Sequence, residues 1–271
     1  MRRPPTASAD TGRTRALAHL FVSDLHLDSA SPQAVETFLR LLAGEARGAE
    51  SLYVLGDLFE SWIGDDDPDP VRARVCDAML ALARHGVPLF ALHGNRDFLL
   101  GAGFEARSGC RLLPDPVVAD LHGERVLLTH GDLLCTGDAA YQELRSTVRG
   151  PFFRRRVAAL SLAQRELLAA AARAGSRAHT STVHADIMDV DPGAVAALAR
   201  ATGVGCIIHG HTHRPAVHDS QVDGRPLRRI VLDAWYERGG LLRWEPDGFE
   251  SVSLPFAAAD PNGSGTADQA R

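Results

Sequence analysis

The chain has 271 residues, 45% of them hydrophobic, and a formal net charge of -5 at pH 7. That length and apolar content suit one sizeable core with an inserted subdomain and argue against two separate domains. The acidic balance argues against a nucleic-acid binder, which carries a basic surplus. Cys76, Cys110, Cys135 and Cys206 show no paired spacing, so they are expected as reduced thiols of a cytosolic protein, not as a disulfide frame or a nucleophile.

In chain order, residues 1–18 hold arginines without the apolar segment that completes a signal peptide, and are expected to form a disordered tail. Short apolar runs predict strands at 19–23, 51–55, 87–92, 126–129, 205–208, 230–232 and 241–244. Between them lie helical patterns. Ser31 and Pro32 open one, Val35, Phe38, Leu39 and Leu42 line its face, and Gly44 ends it. A second runs from 71 to 86, and a third from the cap Asp191 and Pro192 to Gly203. This alternation is the signature of an α/β layered domain, expected over 19–256. Residues 257–271, small and polar, are expected as a second disordered tail. No run reaches the roughly 20 apolar residues of a membrane-spanning helix.

Residues 138–184 replace a short connection with mostly helical sequence, the mark of a lid or insertion. Gly150 and Pro151 divide it into at least two helices. Phe152, Phe153, Leu160, Leu162, Leu167 and Leu168 alternate there with Arg145, Arg149, Arg154, Arg155, Arg156, Arg165 and Arg173. Two readings stay open: a packed hairpin with a solvated basic side, or a surface for a greasy, anionic ligand or lipid headgroup layer.

Chemistry collects where the strands end. The runs are followed by Asp24-Leu25-His26, by Gly56-Asp57, by Gly94-Asn95-Arg96-Asp97, by His130-Gly131-Asp132 and by His211-Thr212-His213. Singly, each is ordinary turn chemistry. Together they supply carboxylate, imidazole and amide in the mix that suits first-row divalent cations such as Mn²⁺, Fe²⁺ or Zn²⁺. Asp24, His26, Asp57, Asn95, His130, His211 and His213 exceed what one cation needs, so two are expected, with Asp57 as the bridging carboxylate. His93 and His209 are expected as partners of ligands, and His19, His85, His122 and His218 as exposed or locally bonded imidazoles. Trp62 and Ile63 are expected to cover the rim of the site, the acidic run after them to be a solvated loop, and Trp235 and Trp244 to be core or edge residues.

Quoted as they stand, FVSDLHLD, YVLGDLFESWIGDDD, HGNRDFLLG, THGDLLCTGDAAYQ, IMDV and IHGHTHRPAVH resemble the calcineurin-like metallophosphoesterases from His19 to about Phe256. The resemblance is closer still to the branch that hydrolyses UDP-2,3-diacylglucosamine in lipid A biosynthesis. It implies a two-sheet sandwich flanked by helices, with two Mn²⁺ ions at one edge and a helical lid that receives acyl chains. Asp24, His26, Asp57 and His213 match the ligands of one ion, and Asp57, Asn95, His130 and His211 those of the other. The implied reaction is attack of water at the α-phosphorus, giving UMP and 2,3-diacylglucosamine 1-phosphate. A lipidic UDP-sugar substrate implies a peripheral protein on the cytoplasmic face of the inner membrane; we expect a monomer without nucleic-acid partners.

In much of the wider superfamily a histidine follows the asparagine of this motif and protonates the leaving group. Here Arg96 stands there, and a guanidinium gives up no proton at neutral pH. It suits a leaving phosphate that needs charge stabilisation rather than a proton. The bland alternative is an arginine paired with Asp97. The resemblance adds Asp138, Ser176, Thr180 and Val183 to Asn95, Arg96 and His211 as positions facing substrate. Thr180 and Val183 depart from its pattern, in which an asparagine and a lysine are expected. His179, His184, Arg173 and Arg177 are the candidates to replace that lysine. Two other functions remain open: a dinuclear phosphodiesterase or nucleotide pyrophosphatase acting on soluble substrates, and a metal-free interaction module that keeps the fold alone.

Overall fold

The computed structural model describes residues 17–182 and 189–256, with side chains 176–182 outside the description. Residues 1–16 and 257–271, expected as tails, lie outside the described residues, as do Val183 and His184. β1 (His19–Val22), α1 (Pro32–Ala43), β2 (Ser51–Leu55), α2 (Pro70–Arg84), β3 (Leu89–Leu92), α3 (Ala102–Ser108) and β4 (Arg111–Leu112) alternate along the first part. An antiparallel pair, β5 (Val117–Leu121) and β6 (Glu124–Leu128), follows. Then come α4 (Ala139–Val148), α5 (Pro151–Ala158), α6 (Leu162–Thr182) and α7 (Pro192–Thr202). Last are β7 (Cys206–His209), β8 (Ala216–Val222), β9 (Arg225–Val231), β10 (Arg238–Glu245) and β11 (Gly248–Pro255).

Two sheets face each other, one in the order β11-β10-β1-β2-β3-β4 and the other β5-β6-β7-β9-β8. Strands buried on both faces read as continuous apolar runs, and the alternation of side chains sorts each run between two cores. Leu20, Val22, Leu52 and Val54 face outward under α1 and α2, while Phe21, Tyr53 and Leu55 face inward. On the other sheet Val126, Leu128 and Ile208 meet them, and Leu127 and Ile207 turn outward towards Val195 and Ala199 of α7. The result is an α/β/β/α stack, the sandwich expected for the domain. Burying a side chain such as Phe21, which is fully enclosed, stabilises by about 1.5–3 kcal/mol.

The expected helices form, with the caps doing different work. Asp69 and Asp191 accept from the backbone N–H of Arg72 and Ala194 at 2.9 and 2.7 Å, whereas Ser31 makes no cap bond and instead ties the loop at Asp28. β4, β5, β8 and β11 are strands that hydrophobic runs do not reveal. β8 and β11 are mostly exposed edges whose inward residues alternate with polar ones, and β4 is only two residues long. Asp223-Gly224 and His122-Gly123, each pair at positive φ, are the hairpin turns that mark two of them.

The segment 138–182 forms three helices, the extra break falling at Leu160-Ser161. Arg145, Arg149, Arg154 and Arg165 are not a solvated basic side. Arg149 reaches the Asp115 carboxylate at 3.2 Å, that of Asp132 at 2.8 Å and the His93 carbonyl at 3.2 Å; Arg145 reaches both carboxylates as well. Arg154 donates to the Leu100 carbonyl, and Arg165 to the Ile63 carbonyl and to Asp66. These bonds pin the helices to the loops that follow the strands. Arg155 and Arg156 stay exposed.

Truncating one partner of such a buried pair leaves the other charge uncompensated. Arg149→Ala should therefore destabilise the chain by about 2–3 kcal/mol, discounted from the fully buried case because 19% of the side chain is exposed, as read from urea unfolding. Asp132 adds a pH signature. Burial alone would raise its carboxyl, yet His130, Arg149 and Arg145 hold it well below the ordinary value of 3.8, so its stabilisation is present above that pH and lost as the pH falls beneath it. The stability gap between wild type and Asp132→Asn should shrink below about pH 4.

Candidate metal centre at the strand ends

The C-terminal ends of β1, β2, β3, β6 and β7 converge at one edge of the sandwich, and short loops beyond them bring together all seven residues singled out in the sequence. The backbone there is unusual. Asp24, His26, Asp57, His211 and His213 all have φ between 48° and 67°, a left-handed conformation that non-glycine residues adopt rarely and that collects at functional sites. It is held by cross-loop bonds: the amides of Asp24, His26 and Trp235 donate to the carbonyls of Gly56, Asp57 and Asp24 at 3.0–3.1 Å. Two glycines permit the crowding. A Cβ on Gly94 would lie 2.0 Å from Asp57 Oδ1, and one on Gly210 2.2 Å from Asp24 Oδ2.

Asp24 and Asp57 are buried to 0% and 1% exposure. Asp57 Oδ2 lies 3.8 Å from His26 Nε2 and 3.8 Å from His130 Nε2. His213 Nε2 is 3.3 Å from Asp24 Oδ1, and the Asn95 amide oxygen is 3.1 Å from both His130 Nε2 and His211 Nδ1. Two overlapping sets of donor atoms result: Asp24 with His26 and His213, and Asp24 with Asp57 and His130. Each set has the mixed nitrogen and oxygen chemistry of a divalent transition-metal site. The fit has a second sign. His26 Nδ1 is bonded to Glu60 at 2.9 Å, while its Nε2 is buried with no hydrogen-bond partner, the arrangement by which a carboxylate orients a metal-binding imidazole. His130 is oriented in the same way by the Leu55 carbonyl at 2.9 Å from Nδ1.

The local charges follow from this packing. Burial would raise Asp24, but the hydrogen bond from His213 and the charges of His130 and His26 hold it well below its usual range. For His130, burial is outweighed by Asp57, Asp24 and Asp132, which push the imidazole up to about 9. Burial and the neighbouring His130 take His211 down to about 4.

Around the donors stand residues that sequence patterns missed. The Tyr141 hydroxyl donates to Asp132 at 2.9 Å and its ring stacks on His211 at 5.9 Å. Tyr236 lies against His26 and bonds His213 Nδ1 through its hydroxyl at 3.0 Å. Tyr141 falls near the end of the quoted THGDLLCTGDAAYQ, where nothing marks its ring as a neighbour of His211, and Tyr236 belongs to a stretch without periodicity or motif. Asp97 is not a surface partner: its buried carboxylate accepts from the Gly94 and Leu58 amides at 2.8 Å and braces the loop, while the Arg96 amide donates to Asp57 Oδ1 at 2.8 Å. His209 Nε2 meets Arg229 at 3.0 Å. Asp138 caps α4 through the Tyr141 amide. The side chains of Ser176 and Thr180, like Val183, lie outside the described residues.

Two expectations fail here. Trp62 and Ile63 do not cover the rim but are buried, Trp62 against Phe59 and Phe104. The acidic run is not simply solvated either: Asp65 and Asp66 are exposed, yet Asp65 accepts from Trp62 and from the Gly103 amide, Asp66 pairs with Arg165, the buried Asp67 pairs with Arg72, and Asp69 caps α2. Trp235 and Trp244 are core residues as expected. All four cysteines are buried, and burial lifts the thiols, Cys76 to about 11 and Cys135 and Cys206 to about 12, which leaves no thiolate nucleophile.

The model of the calcineurin-like phosphoesterases matches residues 19–215, and the chain belongs to that family. It is 48% identical to the UDP-2,3-diacylglucosamine hydrolases of Salmonella arizonae and Salmonella typhi over 240 residues, 89% of this chain and 100% of each relative. Among solved structures, an archaeal phosphodiesterase aligns with a TM-score of 0.44 at 12% identity, over 88% of this chain and 100% of its own.

Because a methyl group at residue 94 would displace the Asp57 carboxylate, Gly94→Ala should weaken Mn²⁺ binding by about 10- to 100-fold, measurable by calorimetric titration of the metal-stripped protein.

Proposed function

We propose that this chain hydrolyses UDP-2,3-diacylglucosamine to UMP and 2,3-diacylglucosamine 1-phosphate in lipid A biosynthesis, using two Mn²⁺ ions. The identity to hydrolases of that substrate, running their whole length, supports the substrate. The position of Asp57 Oδ2, 3.8 Å from histidines on either side, is the observation that carries the two-ion reading. Asp24, His26, Asp57 and His213 hold one ion, and Asp57, Asn95, His130 and His211 the other. When bound, two such cations supply Lewis-acid charge against the phosphate and lower the pKa of an attacking water.

The chain's own residues do the rest. Asn95 and His211 meet the α-phosphate beside the point of attack. Arg96, fixed through its amide to Asp57, offers a guanidinium that stays protonated, so it neutralises the departing sugar phosphate without a proton transfer. That leaving group is already a good anion, and no imidazole has to act as its acid. By resemblance, Asp138 and Ser176 are assigned to the glucosamine headgroup, with Thr180 and Val183 as further substrate positions.

Residues 19–256 form the catalytic unit, with 138–184 as its lid and the two termini as tails. Leu144, Phe152 and Leu167 on the lid helices are 57–73% exposed and give acyl chains an apolar surface. Arg155 and Arg156 beside them suit an anionic headgroup layer. No helix among the described residues is long and apolar enough to cross a membrane, and the protein works as a monomer held peripherally on the cytoplasmic face of the inner membrane.

With Mn²⁺ and UDP-2,3-diacylglucosamine in ¹⁸O-water, UMP should appear carrying the label, as read by mass spectrometry. Label in the sugar phosphate would reverse the point of attack, and turnover of soluble phosphodiesters alone would assign a different substrate. Arg96→Ala should lower kcat by about 10²- to 10³-fold while leaving Mn²⁺ stoichiometry unchanged.

A further inference from the structure

A second cluster of metal-type donors lies at the opposite end of β1. His19 opens that strand, Glu50 directly precedes β2, and His122 sits with Gly123 in the turn between β5 and β6. His19 Nε2 is 3.8 Å from Glu50 Oε1, His122 Nδ1 is 3.7 Å from Glu50 Oε2, and the two imidazole rings are 4.6 Å apart. The three donor atoms all lie within 4.8 Å of one another. A tetrahedral ion with bonds of about 2.0–2.2 Å sets its donors about 3.3–3.6 Å apart, so each imidazole already approaches Glu50 to within a few tenths of an ångström of that spacing, and the widest donor pair has at most about 1.2 Å to close.

The triad is also braced as a ligand set. Ser51 Oγ lies 2.8 Å from His19 Nδ1; with that nitrogen as the donor, the Nε2 lone pair turns towards Glu50, the role that outer partners play for metal-bound histidines. His19 is buried, and burial lowers its affinity for a proton. His122 is held at φ 53° by the tight turn, which fixes where its ring projects. Asp120 adds a nearby negative charge while its carboxylate accepts from the Gly123 amide at 2.7 Å.

We propose that His19, Glu50 and His122 form a single-cation site for Zn²⁺ or a similar transition metal, separate from the strand-end centre. Two nitrogens and one carboxylate leave a fourth position for water and disfavour Mg²⁺ or Ca²⁺, which take oxygen alone. Asp24 lies five residues on from His19, so the strand separates the two sites by about 17 Å. The ion joins β1 of one sheet to the β5–β6 hairpin of the other. Both β1 and β6 run on into the strand-end loops, so the site acts as a clasp between the sheets that carry the catalytic residues.

The test is Zn²⁺ titration of the metal-stripped full chain, with bound metal counted after dialysis, in wild type, Glu50→Gln and His122→Asn. Asparagine tolerates the left-handed turn, and both positions are on the surface. Each variant should bind one equivalent fewer than wild type, keep Mn²⁺-dependent hydrolysis within about twofold, and lose a Zn²⁺-induced rise in Tm of about 5 °C. Equal equivalents in all three proteins would overturn the site and leave the triad as an imidazole and carboxylate ion pair. Loss of an equivalent only together with Mn²⁺-dependent turnover would assign that ion to the strand ends and overturn it too.

Discussion

Two buried carboxylates at the ends of neighbouring parallel strands, Asp24 and Asp57, are the constraint around which the rest of the molecule is arranged. A carboxylate removed from water must find positive charge or donors, and here the donors are mostly imidazoles, drawn from loops of both sheets. Asp24 takes the His211 amide and the His213 ring, while Asp57 takes the Arg96 amide and faces His26 and His130. Neither sheet alone supplies this set. The site therefore exists only when the sandwich closes, and folding and cation binding are coupled through the same groups.

Support comes from a further layer of acids that face inward but serve the backbone. Asp97 takes two amides of the loops beside Asn95. Asp115 accepts from the Thr129 hydroxyl and the His130 amide, and with Asp132 it receives Arg145 and Arg149. These two arginines make α4 a wall of the candidate site, because the same bonds that dock that helix also set the loop that carries His130. Tyr141, stacked on His211, belongs to this docked helix. The docking of α4 and the geometry of the candidate cation ligands are thus mechanically linked.

The backbone adds a second kind of constraint. Seven non-glycine residues among those described have positive φ, and five of them are candidate ligands of the strand-end centre. Such conformations cost of order 1–3 kcal/mol each and persist because cross-loop hydrogen bonds and the packing of Gly94 and Gly210 leave no alternative. Strain and ligand position coincide because sharp turns at strand ends are what aim short side chains such as Asp into a common volume.

The sequence by itself determined the strand-helix alternation, the seven donors and their order, since apolar runs ending in Asp, His or Asn are local signals that survive without neighbours. Tertiary structure alone decided which arginines face solvent and which are held by Asp115, Asp132 and Asp66, that Trp62 lies in the core, and that the acidic run is tied to α2, α3 and α6. It alone paired His19 with His122 across two sheets. Periodicity reports a residue's face on its own element; the partner waiting there comes from a segment tens of residues away, and only packing brings the two together.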